Sequence, residues 1–319
     1  MPQSLQHYAD SLDARSDLNW PVAPDVAPPK AKPYLKRLPE VKAILWDVYG
    51  TLLNIFSGDL LFVHPNDFIM NLALDKTITE FKMWKSMTRK PGAPAEYMRV
   101  IYTNILDELK LLPAPVATEK HPEILAEKIW EQVVRKLMQN EYTYAQGQYG
   151  PVEEYARKIA YFFHISMQGT ACYAGAYTTL RALREKFTHQ GIVADGQCFT
   201  PVQLQRGLRD QAAGVKLDDL FDPQLCHYSF QVRGRKPSER MFKPVLATLR
   251  DRGIEPEEVL LVGNCVDTDI APARRLGLRT ALFAGDKESL RATPEQLKQP
   301  THRPDLMLTD LPQLLEVFR

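Results

Sequence analysis

The chain has 319 residues, room for about two domains at roughly 150 residues each and for a core that needs no disulfides or metal staples. Its 45% hydrophobic and 25% charged residues are ordinary globular values and exclude a disordered, collagen-like or coiled-coil protein. Lys and Arg total 40 against 39 Asp and Glu, a net charge of +1, so no bulk field draws the chain to nucleic acid or to an acidic membrane.

Residues 1–40 form a leader with prolines at 21, 24, 28, 29, 33 and 39, a spacing that favours extended, polyproline-like chain over helix. It reads as a segment hugging the surface or disordered, or as an arm across the body or a partner. Its basic cluster, Lys30, Lys32, Lys36 and Arg37, reads as a solvated face. Val41 to Trp46 is then a short apolar run that enters Asp-Val-Tyr-Gly-Thr, a buried strand running into a tight loop. From about 57 to 168 the apolar spacing is helical. Ile124, Leu125, Ile129, Val133 and Leu137 make one stripe and Tyr97, Ile101 and Ile105 another, predicting helices near 66–86, 94–112, 120–139 and 151–166 with no strand among them.

After this block, strands and helices alternate. Helices are expected near 176–186, 201–209, 238–250 and 270–276, with a closing helix at 311–318. Strands are expected at Gly191–Ala194, Glu258–Gly263 and Arg279–Phe283, with an edge strand at Leu306–Leu308. Such alternation implies an α/β fold with a Rossmann-like, mostly parallel sheet covered on both faces. The helical block interrupts it between its first and second strands. The expected division is therefore a leader at 1–40, a discontinuous α/β core of 41–56 plus 170–319, and an inserted all-helical unit at 57–169.

The four cysteines, at 172, 198, 226 and 265, lie far apart with no Cys-x-x-Cys or Cys/His ligand spacing. They read as reduced thiols of a cytoplasmic protein. The N-terminus carries no apolar stretch of signal-peptide type, and no window approaches the length of a membrane span. The partner expected is a small-molecule substrate, with no nucleic acid and no membrane; a homodimer is compatible with the sequence.

In a parallel sheet, ligands sit beyond the carboxyl ends of the strands. The residues there are Asp47, Tyr49, Gly50 and Thr51 after the first strand, and Asp195 and Gly196 after the second. Lys236-Pro237 precedes a helix, and Asn264, Asp267 and Asp269 follow the third strand. A carboxylate kept ionised by a nearby lysine is the chemistry of a nucleophilic aspartate.

These residues carry a resemblance. Asp47-Val-Tyr-Gly-Thr51-Leu, Lys236-Pro-Ser-Glu-Arg-Met-Phe and Val262-Gly-Asn-Cys-Val-Asp-Thr-Asp269 are similar, in order and spacing, to motifs one, three and four of the haloacid dehalogenase superfamily, whose members carry a helical cap inserted after motif one. The resemblance covers roughly residues 41–319. In the phosphatases of that superfamily the second residue after the nucleophile is an Asp that protonates the leaving group. Here it is Tyr49, which resembles instead the 2-haloacid dehalogenases, whose halide needs no proton. Motif four of the phosphatases supplies a carboxylate to Mg²⁺, and here Asn264 stands in its place.

Motif two should place a hydroxyl at the tip of the second strand. Thr200-Pro201 reads as a helix start, with Thr200 as its N-cap. The strand tip therefore falls at Ala194-Asp195, where the hydroxyl is missing and a second carboxylate repels an anionic substrate. Two further dehalogenase positions are open: Phe242 stands where those enzymes have a Tyr, and Arg89 and Arg99 are the candidates for their halide-binding cap arginine.

Three functions follow. In the first, Asp47 attacks carbon and displaces a leaving group without a cofactor. Lys236 holds Asp47 ionised, Thr51 orients it, Asn264 and Asp269 position Lys236 and water, and Tyr49, Asp195 and Gly196 contact the substrate. In the second, the protein is a Mg²⁺-dependent phosphatase with Asp47 as phosphoryl acceptor, its metal held by Asp47, the Tyr49 backbone carbonyl, Asn264 and Asp269. In the third, it is a catalytically impaired binding protein on the same fold.

Overall fold

The computed structural model describes residues 2–84, 92–114, 118–187 and 189–318. Among the described residues the chain forms eight strands: β1 Ala43–Trp46, β2 Leu53–Ile55, β3 Thr170–Cys172, β4 His189–Ala194, β5 Cys226–Tyr228, β6 Val259–Gly263, β7 Arg279–Phe283 and β8 Leu306–Leu308. Six of them form one sheet in the order β5-β4-β1-β6-β7-β8, every pairing parallel. β1 is central, with Trp46 level with Ile192 on one side and Val262 on the other, so the chain leaves all three strands at the same edge.

Side chains alternate across the sheet as the pleat requires. Ile44, Trp46, Ile192, Ala194, Leu260 and Val262 enter the cluster on one face. Ala43, Leu45, Val193, Val259 and Leu261 enter the cluster on the other. Burial on both faces explains why these strands read as continuous apolar runs. β2 and β3 pair antiparallel in a separate two-stranded ribbon where the chain leaves the sheet and returns to it. That ribbon and the edge strand β5 are too short for the apolar pattern to reveal.

Between β2 and β3 lie the helices α2 Asp67–Glu80, α3 Pro94–Leu111, α4 Ala126–Met138, α5 Gln146–Tyr149 and α6 Val152–Met167. They enclose an apolar cluster of their own, in which Tyr102, Trp130 and Phe163 meet at ring-centroid distances of 5.1–5.4 Å. Two expected boundaries move in this block, the first because α2 ends at Glu80 and not near 86. α4 begins at Ala126 and not near 120, because the preceding segment is extended and Pro122 bridges Gly234. The chain then continues through α7 Ala176–Lys186 and α8 Thr200–Gln211 on the sheet side.

The leader also departs from expectation. It opens with a helix, α1 Leu5–Asp13, N-capped by Ser4, which accepts a hydrogen bond from the His7 amide. Tyr8, Ala9 and Leu12 of α1 are buried in the helical cluster. Asp10 and Asp13 pair with Arg209 and Arg206 of α8, and Arg15 pairs with Glu80 of α2.

Beyond α1 the leader is extended. Trp20 meets Phe162 edge-on at 5.3 Å, and a Cβ on Gly169 would fall 2.3 Å from the Pro21 and Val22 backbone. The Asn54 side chain donates to the Pro24 carbonyl at 2.5 Å, and Tyr34 bridges Met307 antiparallel on β8. Lys36 is not merely solvated: it pairs at 2.9 Å with the buried Asp305. Among the described residues the four cysteines are free, and no helix is long and apolar enough to cross a membrane.

Candidate active site

Asp47 follows the last residue of β1, and its amide donates to the Val262 carbonyl at 2.9 Å, extending the β1–β6 ladder by one step. The turn after it is tight: the Thr51, Leu52 and Leu53 amides all converge on the Val48 carbonyl. Gly50 sits there at φ +75°, and a Cβ on it would lie 2.1 Å from the Asn264 amide nitrogen. Both the left-handed backbone and the close approach demand glycine.

Lys236 reaches this point from the loop after β5. Its Nζ donates to Asp47 Oδ1 at 2.6 Å and also to Asp269 Oδ1, and all three side chains are buried. Asp269 is fully engaged, because its Oδ2 accepts from the Cys265 amide at 3.0 Å. The Lys236 backbone amide donates to Asp195 Oδ1 at 2.8 Å.

Burial, with help from the carboxylates of Asp269 and Asp195, pushes the Asp47 carboxyl up to about 7 despite the lowering by Lys236. Burial by itself would depress the Lys236 ammonium, but Asp269, Asp47 and Asp195 together raise it above the ordinary lysine value. Thr51 Oγ1 stands 3.5 Å from both Asp47 Oδ2 and Asn264 Oδ1. The Asn264 carboxamide is fixed by donation to the Ser289 carbonyl at 2.6 Å.

Asp47, Thr51, Lys236, Asn264 and Asp269 thus come together. The three residues expected to contact substrate separate. Asp195 lines the pocket above Asp47. Tyr49 also lines that pocket, but its hydroxyl is turned to Thr200 Oγ1 at 2.9 Å and to Gln203 Oε1. Burial raises the phenol above its usual value. Gly196 lies to one side, with its amide taken by Ser229 Oγ at 2.8 Å.

Three details of the expected site are corrected. β4 does end at Ala194, but Thr200 is the first helical residue and not the N-cap. Its hydroxyl accepts from the Gln197 amide at 2.7 Å and meets Tyr49. Asp195 is not left to repel an anion unopposed, since Arg235 Nε stands 3.6 Å from its Oδ2. Asp267 is exposed, with both oxygens held by Gln296. Phe242 is fully buried against the sheet, Arg99 pairs with Asp67 on the exposed helical surface, and Arg89 lies outside the described residues.

The pocket over Asp47 has a volume of about 350 Å³. Asp59, Arg235 and Arg291 line it as well, and the sequence reading missed all three. For Arg235 the only signal was its place directly before Lys236. As for a metal, the Mg²⁺ set drawn from the sequence does not fit. Asp269 has both oxygens engaged and Asn264 is neutral, so Asp47 alone brings charge to a hard cation that wants several anionic oxygens. Among the described residues no three His, Cys, Asp or Glu side chains are grouped as a metal set.

The HAD-hydrolase-like family model matches residues 233–314, which carry Lys236, Asn264 and Asp269. A glyceraldehyde 3-phosphate phosphatase of Pyrococcus furiosus is 31% identical over 144 residues, 45% of this chain and 53% of that protein. The chain therefore matches about half the length of this curated relative. Among solved structures, a 2-haloacid dehalogenase from Pseudomonas syringae pv. Tomato DC3000 is similar over 87% of this chain and 97% of its own, with a TM-score of 0.50 and 17% identity. A HAD phosphatase from Thermococcus onnurineus matches over 87% and 97% with a TM-score of 0.45 and 18% identity. Residues 233–314 are thus similar to the HAD-hydrolase-like family, and the α/β core with its intervening helices has the fold of the 2-haloacid dehalogenase structure.

Proposed function

We propose that the protein is a hydrolase whose Asp47 attacks carbon of a small substrate and displaces a leaving group that departs as a stable anion, as a halide does. A carboxylate oxygen of Asp47 forms the new C–O bond, and the carbon–halogen bond breaks with its electron pair on the halide. Water then adds to the Asp47 carbonyl of the resulting ester. The alcohol leaves, and Asp47 is regenerated with one proton released.

In this reading Lys236 keeps Asp47 ionised, Thr51 stands at its second oxygen, and Asp269 fixes Lys236. Residues 57–169 act as the cap and residues 41–56 plus 170–319 as the core. The observation that carries the reading is the absence of a proton donor at the position two residues after Asp47. Tyr49 is there, and its hydroxyl is committed to Thr200 and Gln203. A leaving group that needs protonation would find no acid from that side.

A second reading, a phosphatase with Asp47 as phosphoryl acceptor, is favoured by the 31% identity to the Pyrococcus furiosus enzyme. Release of halide from a panel of 2-haloacids in the presence of EDTA, set beside release of phosphate from phosphate esters with Mg²⁺, separates the two. Halide release that EDTA spares and Asp47→Asn abolishes is expected. Phosphate release that needs Mg²⁺ would install the second reading, and no turnover on either panel would favour the binding protein.

A further inference from the structure

The pocket is anchored at one end by Asp47 and Lys236. Two arginines from different parts of the chain line it as well. Arg235 lies in the loop after β5, and Arg291 lies after β7 with its amide donating to the Asn264 carbonyl at 2.9 Å. Asp59 is the one carboxylate that lies near both guanidinium groups, while Arg291 Nη2 also donates to the Ser57 carbonyl at 3.1 Å. Arg291 Nη1 is 3.1 Å from Asp59 Oδ2, and Arg235 Nη2 is 3.9 Å from Asp59 Oδ1. Asp59 comes from the segment that leads out of β2 toward α2 and lines the pocket beside both arginines.

Arg235 is loosely held. Its distances to Asp59, Glu123 and Asp195 are 3.9, 3.8 and 3.6 Å, all longer than the ~2.8 Å of a charge-assisted hydrogen bond. Its fork of donors is therefore electrostatically compensated but geometrically unspent. Arg235, Arg291 and Asp59 are also 38%, 43% and 31% exposed, so solvent and ligand reach them. A carboxylate or phosphate entering between two guanidiniums can form the short bidentate contacts that Asp59 does not make with Arg235.

We propose that Arg235 and Arg291 form an anion subsite and that the substrate is a small dianion. One part of it is attacked by Asp47, while a second carboxylate- or phosphate-class group, remote from that centre, displaces Asp59 from the two arginines. This names the substrate class for the hydrolase reading above and rests on it for the chemistry. The subsite itself needs no turnover.

Binding is therefore measured by calorimetry on the full chain carrying Asp47→Asn, so that failure of the nucleophile reading leaves the result intact. The probes are succinate, phosphoglycolate and, as a monoanion of similar length, butyrate. Either dianion is expected to bind about tenfold more tightly than butyrate, a difference of about 1.4 kcal/mol; the better of the two identifies the distal group as carboxylate or phosphate. Adding Arg291→Gln removes the advantage and leaves butyrate unchanged, whereas adding Asp59→Asn increases it, because the internal competitor is gone. Equal binding of all three probes, no saturable binding of either dianion, or weaker dianion binding in the Asp59→Asn background overturns the proposal.

Discussion

Lys236 Nζ lies between two buried carboxylates, 2.6 Å from Asp47 Oδ1 and in hydrogen-bond contact with Asp269 Oδ1. One ammonium thus offsets two anions beneath the pocket, with Asp195 held by the same residue's backbone. Removing one partner of a buried ionic cluster leaves uncompensated charge, which is costlier than never having built the cluster.

Lys236→Met should therefore destabilise the fold by about 3 kcal/mol at slightly alkaline pH. The sign of its pH dependence follows from the carboxylates. Without the ammonium, Asp47, already raised by burial, is raised further above its unfolded value. Its folded form then holds a proton that the unfolded chain has lost, and the variant loses stability as pH rises. Urea unfolding at about pH 5 and about pH 8 should show the deficit growing with pH. A deficit equal at both would mean that the lysine matters only through packing.

Activity should follow the ionisation of Asp47. With its carboxyl pushed up to about 7, kcat/KM for the free enzyme is expected to rise with pH through neutrality and level off above it. The raised Lys236 ammonium gives no fall before strongly alkaline pH. A profile flat across neutrality would remove Asp47 as the titrating nucleophile.

Tyr49→Phe distinguishes a structural phenol from a catalytic one. It leaves Gln203 Oε1 without its donor in a buried site, costing about 1–2 kcal/mol in thermal or urea unfolding. Turnover should stay within about twofold, because general acid catalysis is worth roughly 10²–10⁴ in rate and the hydroxyl supplies none here. A hundredfold fall in kcat with unchanged stability would make Tyr49 the acid after all.

Much of this arrangement was legible because its signals are local. β1, β6 and β7 are apolar runs, and Asp47, Lys236, Asn264 and Asp269 each stand at a strand end or before a helix. What escaped notice depends on distance in the chain. Asp59 and Arg291 are 232 positions apart, and nothing in the composition around either announces the other. α1 was hidden for a different reason: its buried stripe is only Tyr8, Ala9 and Leu12, and it stands just before a run of prolines that argues against helix. The misplaced cap at Thr200 was a single-residue error, yet it concealed the hydrogen bond that explains why Tyr49 faces away.

The leader makes a prediction of its own. Gly169→Ala would drive a methyl group to 2.3 Å from the Pro21 and Val22 backbone, and backbone yields poorly. The variant is expected to lose about 1–3 kcal/mol of stability and to expose the basic stretch that follows, so that limited trypsin digestion cuts after Lys30 faster than in the parent chain. Unchanged digestion and unchanged melting would show that the leader does not depend on this contact.

The prolines of the leader have a place at the sheet margin. β8 is an edge strand of three residues, and an uncovered edge is a template on which other chains can assemble. Tyr34 pairs with Met307 there, its amide and carbonyl both satisfied by the partner strand at 2.9 Å. Pro33 beside it and Pro28 and Pro29 upstream lack the amide protons that a further strand would need. The leader therefore covers the edge at Met307 and offers few amide protons for a further strand to pair with.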